Sequence, residues 1–140
     1  MRSLFDGVKL VKGINPIAQS NSEALSAAID TLGYNSAVIE VNTGAATGTP
    51  DSYSVACKVQ ECATSGGTYA DVSGATATLA ADGKHAQIRV EGLGTSRARY
   101  LKISMTPSFV GGTSPKALIG AVAVLGNAFR APVANSSTAA

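Results

Sequence analysis

A two-residue alternation of apolar and smaller or polar side chains is the feature of this sequence that most restricts its fold. Between Tyr53 and Val59 every second residue is an apolar residue or a cysteine. The same spacing recurs from Ala86 to Val90, after an Asp82-Gly83 dipeptide that is typical of a tight turn. Successive side chains of a strand point to opposite faces, so this period predicts strands with one buried face.

Further segments have the composition of strands and are separated by turn residues. β-Branched residues dominate Ala37–Val41, and Lys116–Leu125 is almost continuously apolar, which predicts a central strand. Pro107 is expected to end the strand before it, and Thr43–Asp51 is expected to form a turn-rich loop. We expect strands within Val8–Ile17, Tyr34–Asn42, Tyr69–Val72, Thr76–Leu79, Tyr100–Met105 and Lys116–Leu125.

The segment Ser22–Leu32 admits two interpretations. Its alanine and leucine residues favour a helix. Leu25, Ala27 and Ile29, however, are spaced two residues apart, and Gly33 ends the run. We prefer the strand.

Short strands with turn signals every eight to twelve residues or so are typical of β-sandwiches. The sequence therefore predicts an all-β, single-domain antiparallel β-sandwich of jelly-roll or Ig-like topology, with about eight or nine strands. We expect residues 1–15 to form an N-terminal arm or edge strand and residues 16–130 to form the sandwich. Residues 131–140 are expected to be a flexible tail.

Charge is sparse in this chain. Of its 140 residues, 45% are hydrophobic and 14% are charged, and the formal net charge is +2. Such a small net charge indicates neither a nucleic-acid nor a membrane partner. A surface with few Lys and Glu residues suits a protein that packs into an assembly, where charged groups are costly to desolvate. The same composition also fits a soluble β domain with a polar, uncharged surface.

The cysteines and the histidine do not form a pattern for metal binding or catalysis. Cys57 falls on the apolar side of an alternating run, which predicts a buried free thiol, and Cys62 is too far along a straight strand to form a disulfide with it. His85, the chain's only histidine, is expected to be exposed at a strand start. With no nucleophile motif and no metal-ligand spacing, we expect no enzyme activity, no metal and no cofactor.

A cluster of basic residues precedes and enters the expected strand at Tyr100. If Arg97 and Arg99 belong to that strand, they share one of its faces. We interpret that face as solvated or as part of an interface.

Several short segments resemble a family of small tailed-phage virion proteins that are often encoded beside the major capsid protein. Tyr34–Gly44 is similar to the family's first core strand. Val59–Cys62, a glycine-bearing turn and Thr68–Val72 look like its hairpin with a Gln-Glu pair and a Tyr/Phe-x-Asp-Val end. Arg99–Ile103 and Ala121–Gly126 resemble its last two strands, and Ala131–Val133 its closing residues.

The resemblance implies a capsid decoration or cement protein, a homotrimer that bridges subunits of the major capsid protein on the phage head. Residues 1–12 lack the apolar stretch of a signal peptide, so we expect synthesis in the host cytoplasm. Apolar or arginine anchors near the two ends, with the basic pair, are the expected interface: Leu4, Phe5, Val8, Arg97, Arg99, Phe129, Arg130, Pro132 and Val133.

Two other functions remain open at this point. One is a head–tail connector or tail component, which shares the β-rich and weakly charged character. The other is a carbohydrate-binding β-sandwich module whose loops at Thr43–Asp51 or Val110–Lys116 hold the ligand. The low aromatic content, 5%, argues against the second.

Overall fold

In a computed structural model, the chain forms two antiparallel β-sheets packed face to face. The structure describes residues 4–80 and 82–128. The helix α1 (Leu4–Gly7) is followed by β1 (Lys9–Lys12), β2 (Ile17–Gln19), β3 (Ala24–Leu25), β4 (Ile29–Asp30), β5 (Tyr34–Thr47), β6 (Ser52–Cys62), β7 (Ala70–Leu79), β8 (His85–Glu91), β9 (Tyr100–Val110) and β10 (Lys116–Ala128). The all-β antiparallel sandwich is confirmed, and three of its strands are shorter than four residues.

The order of the strands decides between the two expected topologies. Sheet 1 has the order β1-β10-β5-β8, with β2 also on β10, and sheet 2 has the order β3-β9-β6-β7, with β4 also on β9. The pairing is nested: β1 and β2 pair with β10, β3 and β4 with β9, β5 with β8, and β6 with β7. Nested antiparallel pairing across two sheets is the jelly-roll topology.

The core lies between the sheets and is built from alternate residues of the long strands. In β5, Ala37, Ile39 and Val41 are at most 1% exposed, and Leu101 and Ile103 of β9 are equally buried. β10 pairs with β5 on one side and with β1 and β2 on the other, so its prediction as a central strand is confirmed. The strand predicted at Tyr53–Val59 is confirmed by β6, and the strand predicted at Ala86–Val90 is confirmed by β8.

Ser22–Leu32 is extended rather than helical, but it forms two short strands instead of one. The cause is Ser26, whose hydroxyl oxygen accepts the Ile103 backbone N–H at 2.9 Å. The Ser26 hydroxyl itself donates to the Ala27 carbonyl oxygen at 2.9 Å. The Ser26 side-chain oxygen thus accepts the hydrogen bond that a backbone carbonyl oxygen would accept in a regular sheet. This interruption separates β3 from β4 along β9.

Two strand ends expected from turn residues are wrong. β5 continues through Thr43 to Thr47, because Ala46 and Thr47 pair with the first residues of β10. β9 continues through Pro107 to Val110. β3 accompanies β9 only as far as Met105, so Pro107 lies where β9 has a neighbour on one side alone, a position that tolerates a missing N–H.

The two short strands expected at Tyr69–Val72 and Thr76–Leu79 are one bulged strand, β7. Lys58 of β6 pairs with Thr76, whereas Gln60 pairs with Asp71, so the additional residues are on β7. Gly74 within this bulge has a φ of 78°, a conformation in which glycine is favoured.

A bidentate ion pair ties β4 to the segment before β9. The Arg99 Nη2 and Nε atoms donate to the two carboxylate oxygens of Asp30 at 2.7 and 2.8 Å. These hydrogen bonds lower the pKa of Asp30 below 3.8, against a smaller opposing effect of burial. The Asp30 carboxylate also accepts the Leu32 backbone N–H at 3.0 Å, which fixes the turn into β5.

Removal of the Ser26 hydroxyl is expected to destabilise the protein. Ser26→Ala leaves the Ile103 N–H without its acceptor in the core, which should lower the free energy of unfolding by about 1–3 kcal/mol. Chemical denaturation would measure this change. Ser73→Ala, at an exposed position of β7, is the control and should change stability by less than about 0.5 kcal/mol. Equal effects of the two substitutions would contradict this role of Ser26.

The Asp30–Arg99 pair predicts a pH-dependent part of the stability. Because the folded-state pKa of Asp30 is below the unfolded value near 3.8, the contribution is present above pH 3.8 and is lost as the pH falls through the lower folded pKa. Asp30→Asn should therefore be less stable than the parent at pH 7, with the difference closing in acid. Arg99→Gln should remove most of the same pH-dependent part, because the Leu32 N–H still donates to the Asp30 carboxylate. Thermal unfolding at a series of pH values checks both, and a constant difference at all pH values would disprove the mechanism.

Candidate interaction surface

The outer side of sheet 1 carries exposed aliphatic side chains, which we call the aliphatic face: Leu10, Val38, Val122 and Val124. Leu10 is 64% exposed, Val38 and Val122 are each 36% exposed, and Val124 is partly buried. Their position follows from the period of two, because Ile39 and Ala123 point into the core and their neighbours must then point outward. A large aliphatic side chain at such a position contributes nothing to the core.

Strand register makes these side chains neighbours. Leu10 pairs with Val124 and Val124 with Val38, so the three form one row across β1, β10 and β5. Val122 lies in the next row of the same face, between Lys12 and Glu40. With strands about 4.8 Å apart, the row of three spans roughly 10 Å. The result is a continuous apolar area rather than scattered exposed residues.

Polar groups border the aliphatic face on the β8 side. The His85 Nδ1 atom is 2.9 Å from Glu40 Oε1, and the Gln87 amide donates to the other oxygen of the same carboxylate. His85 opens β8 and its side chain is 63% exposed, as expected. An apolar centre with a polar margin is the usual anatomy of a protein–protein contact surface.

Of the N-terminal residues expected in an interface, Val8 directly precedes β1, which carries Leu10. Alternation along β1 places Val8 on the same side as Leu10, and a Cβ on Gly126 would lie 4.0 Å from Val8 Cγ1. Leu4 in α1 is 78% exposed. The side chain of Phe5, and the whole of Phe129, Arg130, Pro132 and Val133, lie outside the described residues.

Arg97 and Arg99 do not share a strand face, because β9 begins at Tyr100. Each instead pairs with a carboxylate of its own chain. Arg97 Nη1 is 2.9 Å from Glu61 Oε2, and Arg99 binds Asp30 as described above. Their charges are therefore already compensated within the chain.

The hairpin that resembles the phage family is β6–β7, and its polar residues hold it together. The Gln60 amide donates to Asp71 Oδ1 at 2.9 Å, and Lys58 Nζ is 3.2 Å from the same atom. Glu61 accepts the Ala98 backbone N–H at 2.9 Å. These residues therefore act as structural ties between β6, β7 and the segment before β9.

The two loops considered for carbohydrate binding meet at one end of the sandwich. Because β5 extends to Thr47, the β5–β6 turn is shorter than the expected loop. A hydrogen bond joins it to the β9–β10 loop: the Thr113 N–H donates to the Gly48 carbonyl oxygen at 2.8 Å. The Asp51 N–H donates to the Val110 carbonyl oxygen at 2.7 Å. A cleft of about 470 Å³ lies beside the second loop, next to Phe109.

The cysteines are both free thiols. Burial of Cys57 raises the pKa of its thiol to about 11, as expected for a packing residue. Among residues 4–80 and 82–128, no three His, Cys, Asp or Glu side chains come together as a metal site. In that same part of the chain, no helix has the length and apolar character needed to cross a bilayer.

Sequence reasoning missed the aliphatic face. The almost continuous apolar run of β10 was explained by its central position, which accounts for Ala121 and Ala123 but not for Val122 and Val124. The available signal was Val38, a valine between two core residues of β5 where alternation requires an outward side chain.

No family model and no curated protein matches the chain. Among solved structures, the PBSX exported protein XepA superimposes with a TM-score of 0.61 at 11% sequence identity, over 100% of this chain and 44% of XepA. The chain thus spans less than half the length of that protein.

Two further structures score lower. The disulfide-linked pili of Bacillus endospore appendages give a TM-score of 0.45 at 12% identity, over 90% of this chain and 96% of the pilus protein. TmCBM61, solved with β-1,4-galactotriose, gives 0.43 at 12% identity, over 86% and 83% of the two chains. At these identities the similarity to XepA establishes the sandwich fold, and the two lower scores add nothing to it.

Proposed function

We propose that this chain is a non-enzymatic structural protein of a tailed-phage virion, a decoration protein that binds across neighbouring major capsid protein subunits on the head surface. The observation that carries the proposal is the aliphatic face. Four aliphatic side chains on a rigid sheet, with Lys12 and Glu40 at the margin, form a preorganised surface for another protein. The proposal also gives the location of the protein, which is the surface of the phage head after synthesis in the host cytoplasm.

The physical basis is burial of apolar surface at a subunit boundary. Each square ångström of apolar surface removed from water contributes about 25 cal/mol, less the costs of association. A protein that spans two capsid subunits buries apolar surface on both of them. The subunits can then separate only if the free energy of these contacts is lost as well. The sheet itself is held by its ladder and core and needs no reordering on binding.

The resemblance to phage virion proteins supports the same assignment. The similar segments include Tyr34–Gly44 and Ala121–Gly126, which are the parts of β5 and β10 that carry Val38, Val122 and Val124. Homotrimer formation, which the resemblance implies, belongs to the proposal as well.

The copy number of the protein in purified virions tests the location. We expect quantitative mass spectrometry to find it at a ratio near that of the major capsid protein. A ring-like dozen copies or fewer would instead indicate a head–tail connector or tail component. Absence from the particles would contradict a virion role altogether.

Charge placed on the aliphatic face is expected to weaken head binding. Val38→Lys combined with Val122→Lys should reduce co-sedimentation with heads lacking this protein by at least about tenfold in affinity, because two ammonium groups must be desolvated. Unfolding should change little, since both side chains already point outward.

Thr76→Lys combined with Thr78→Lys is the matched control, because it adds the same two charges to exposed β-strand positions on the outer side of sheet 2. Head binding by this variant should equal that of the parent. Equal loss in both variants would indicate a general charge effect, and no loss in the valine variant would exclude the aliphatic face as the binding surface.

A further inference from the structure

The cleft at the loop end of the sandwich has features that the proposed docking surface does not use. We call it the end cleft, and its lining includes Ser20, Asn21, Phe109, Ser114, Pro115 and Lys116. Its volume of about 470 Å³ falls in the range of small-molecule sites. It lies between the β2–β3 turn and the β9–β10 loop, so both sheets contribute to its walls.

The loops beside the end cleft are held in a fixed conformation. Besides the two backbone hydrogen bonds between them, they approach so closely that only glycine fits at the contact. A Cβ on Gly48 would lie 2.4 Å from the Thr113 carbonyl oxygen, and a Cβ on Gly112 would lie 2.7 Å from the Gly48 carbonyl oxygen. The cleft is therefore formed before any ligand arrives.

Backbone strain is concentrated in these same loops. Thr49 and Ser114 have φ angles of 48° and 44°, a region that residues with a Cβ rarely adopt. Asn127 is the third such residue in the described part of the chain, and asparagine tolerates this conformation better than threonine or serine. Strained residues of this kind persist where the surroundings enforce them and cluster at ligand sites.

The side chains of the end cleft combine an aromatic ring, a cation and neutral polar groups. The Phe109 ring packs on Tyr53 with centroids 6.0 Å apart, and the Tyr53 hydroxyl donates to the Gly44 carbonyl oxygen at 2.8 Å, which fixes the pair. Lys116 is exposed and forms no ion pair with any described residue. Asn21 and Ser114 likewise have no side-chain hydrogen bond within residues 4–80 and 82–128.

We infer that the end cleft binds a carboxylated sugar. Lys116 supplies the counter-charge for the carboxylate, the Phe109 ring offers an apolar surface to the C–H groups of the sugar ring, and Asn21 and Ser114 provide hydrogen-bonding partners for its hydroxyls. A phosphate ligand suits the site less well, because it holds a single lysine and no helix N-terminus. This binding activity stands independently of docking to the phage head.

Titration of the ¹⁵N-labelled chain, followed by NMR, tests the inference with three probes: methyl β-D-glucuronide, methyl β-D-glucoside and sodium acetate. We expect glucuronide to shift the amide signals of Asn21 and Ser114 at millimolar concentration. The glucoside should bind about tenfold more weakly, and acetate should leave these signals unchanged. No response to glucuronide, an equal response to acetate, or shifts confined to the sheet faces would overturn the inference.

Two variants assign the roles of the residues. Lys116→Gln should abolish the preference for glucuronide over glucoside, whereas Lys102→Gln, at the far end of β9, should retain it. Phe109→Leu keeps an apolar side chain but removes the ring, and it should weaken both sugars. Denaturation curves would establish that each variant is folded. An unchanged preference in Lys116→Gln would overturn the inference, and neither result bears on head binding through the aliphatic face.

Discussion

The antiparallel pairing of β5 with β10 is the constraint on which the rest of the structure depends. It runs from Tyr34 opposite Ala128 to Thr47 opposite Lys116, with one irregularity between Ala117 and Ile119. Because side chains alternate, this one register decides at once which residues enter the core and which face solvent. A shift of one residue would expose Ile39 and Val41 and bury Glu40. The aliphatic face exists only in the register that also buries the core.

The core therefore does not explain the outward residues. Ile39 and Val41 are required by packing between the sheets, whereas Val38 and Val122 could be threonine or lysine without loss of a core contact. Aliphatic residues at these positions suit β structure, but they leave apolar surface in water unless something covers it. Lys12 and Glu40 limit the apolar area at its margin. This arrangement is the physical basis of the proposal that another protein covers the aliphatic face.

How far the sequence predicts this molecule depends on whether a feature is local. The two-residue alternation of apolar side chains predicts β6 and β8 correctly, because it depends only on the residues of the strand itself and not on the strands beside it. The end of β9 was misjudged because tolerance of Pro107 depends on how far β3 extends along the other side, a fact of topology. The ion pairs of Arg97 and Arg99 could not be predicted for the same reason, since Glu61 and Asp30 are distant in sequence. The register that assembles the aliphatic face is likewise invisible in any single segment.

The jelly-roll topology places the aliphatic face and the end cleft at different positions on the molecule. The row Leu10, Val124 and Val38 lies on a sheet face, whereas Lys116 lies at the loop end of the same strand β10. The eight residue-to-residue steps from Lys116 to Val124 correspond to about 26 Å at the usual rise of a strand. In the proposed complex, contact of the row with a capsid subunit would therefore leave the end cleft outside the contact centre. Because the loops are tied to each other by their own hydrogen bonds, the proposed ligand binding would not require any change in the sheet that carries the aliphatic face.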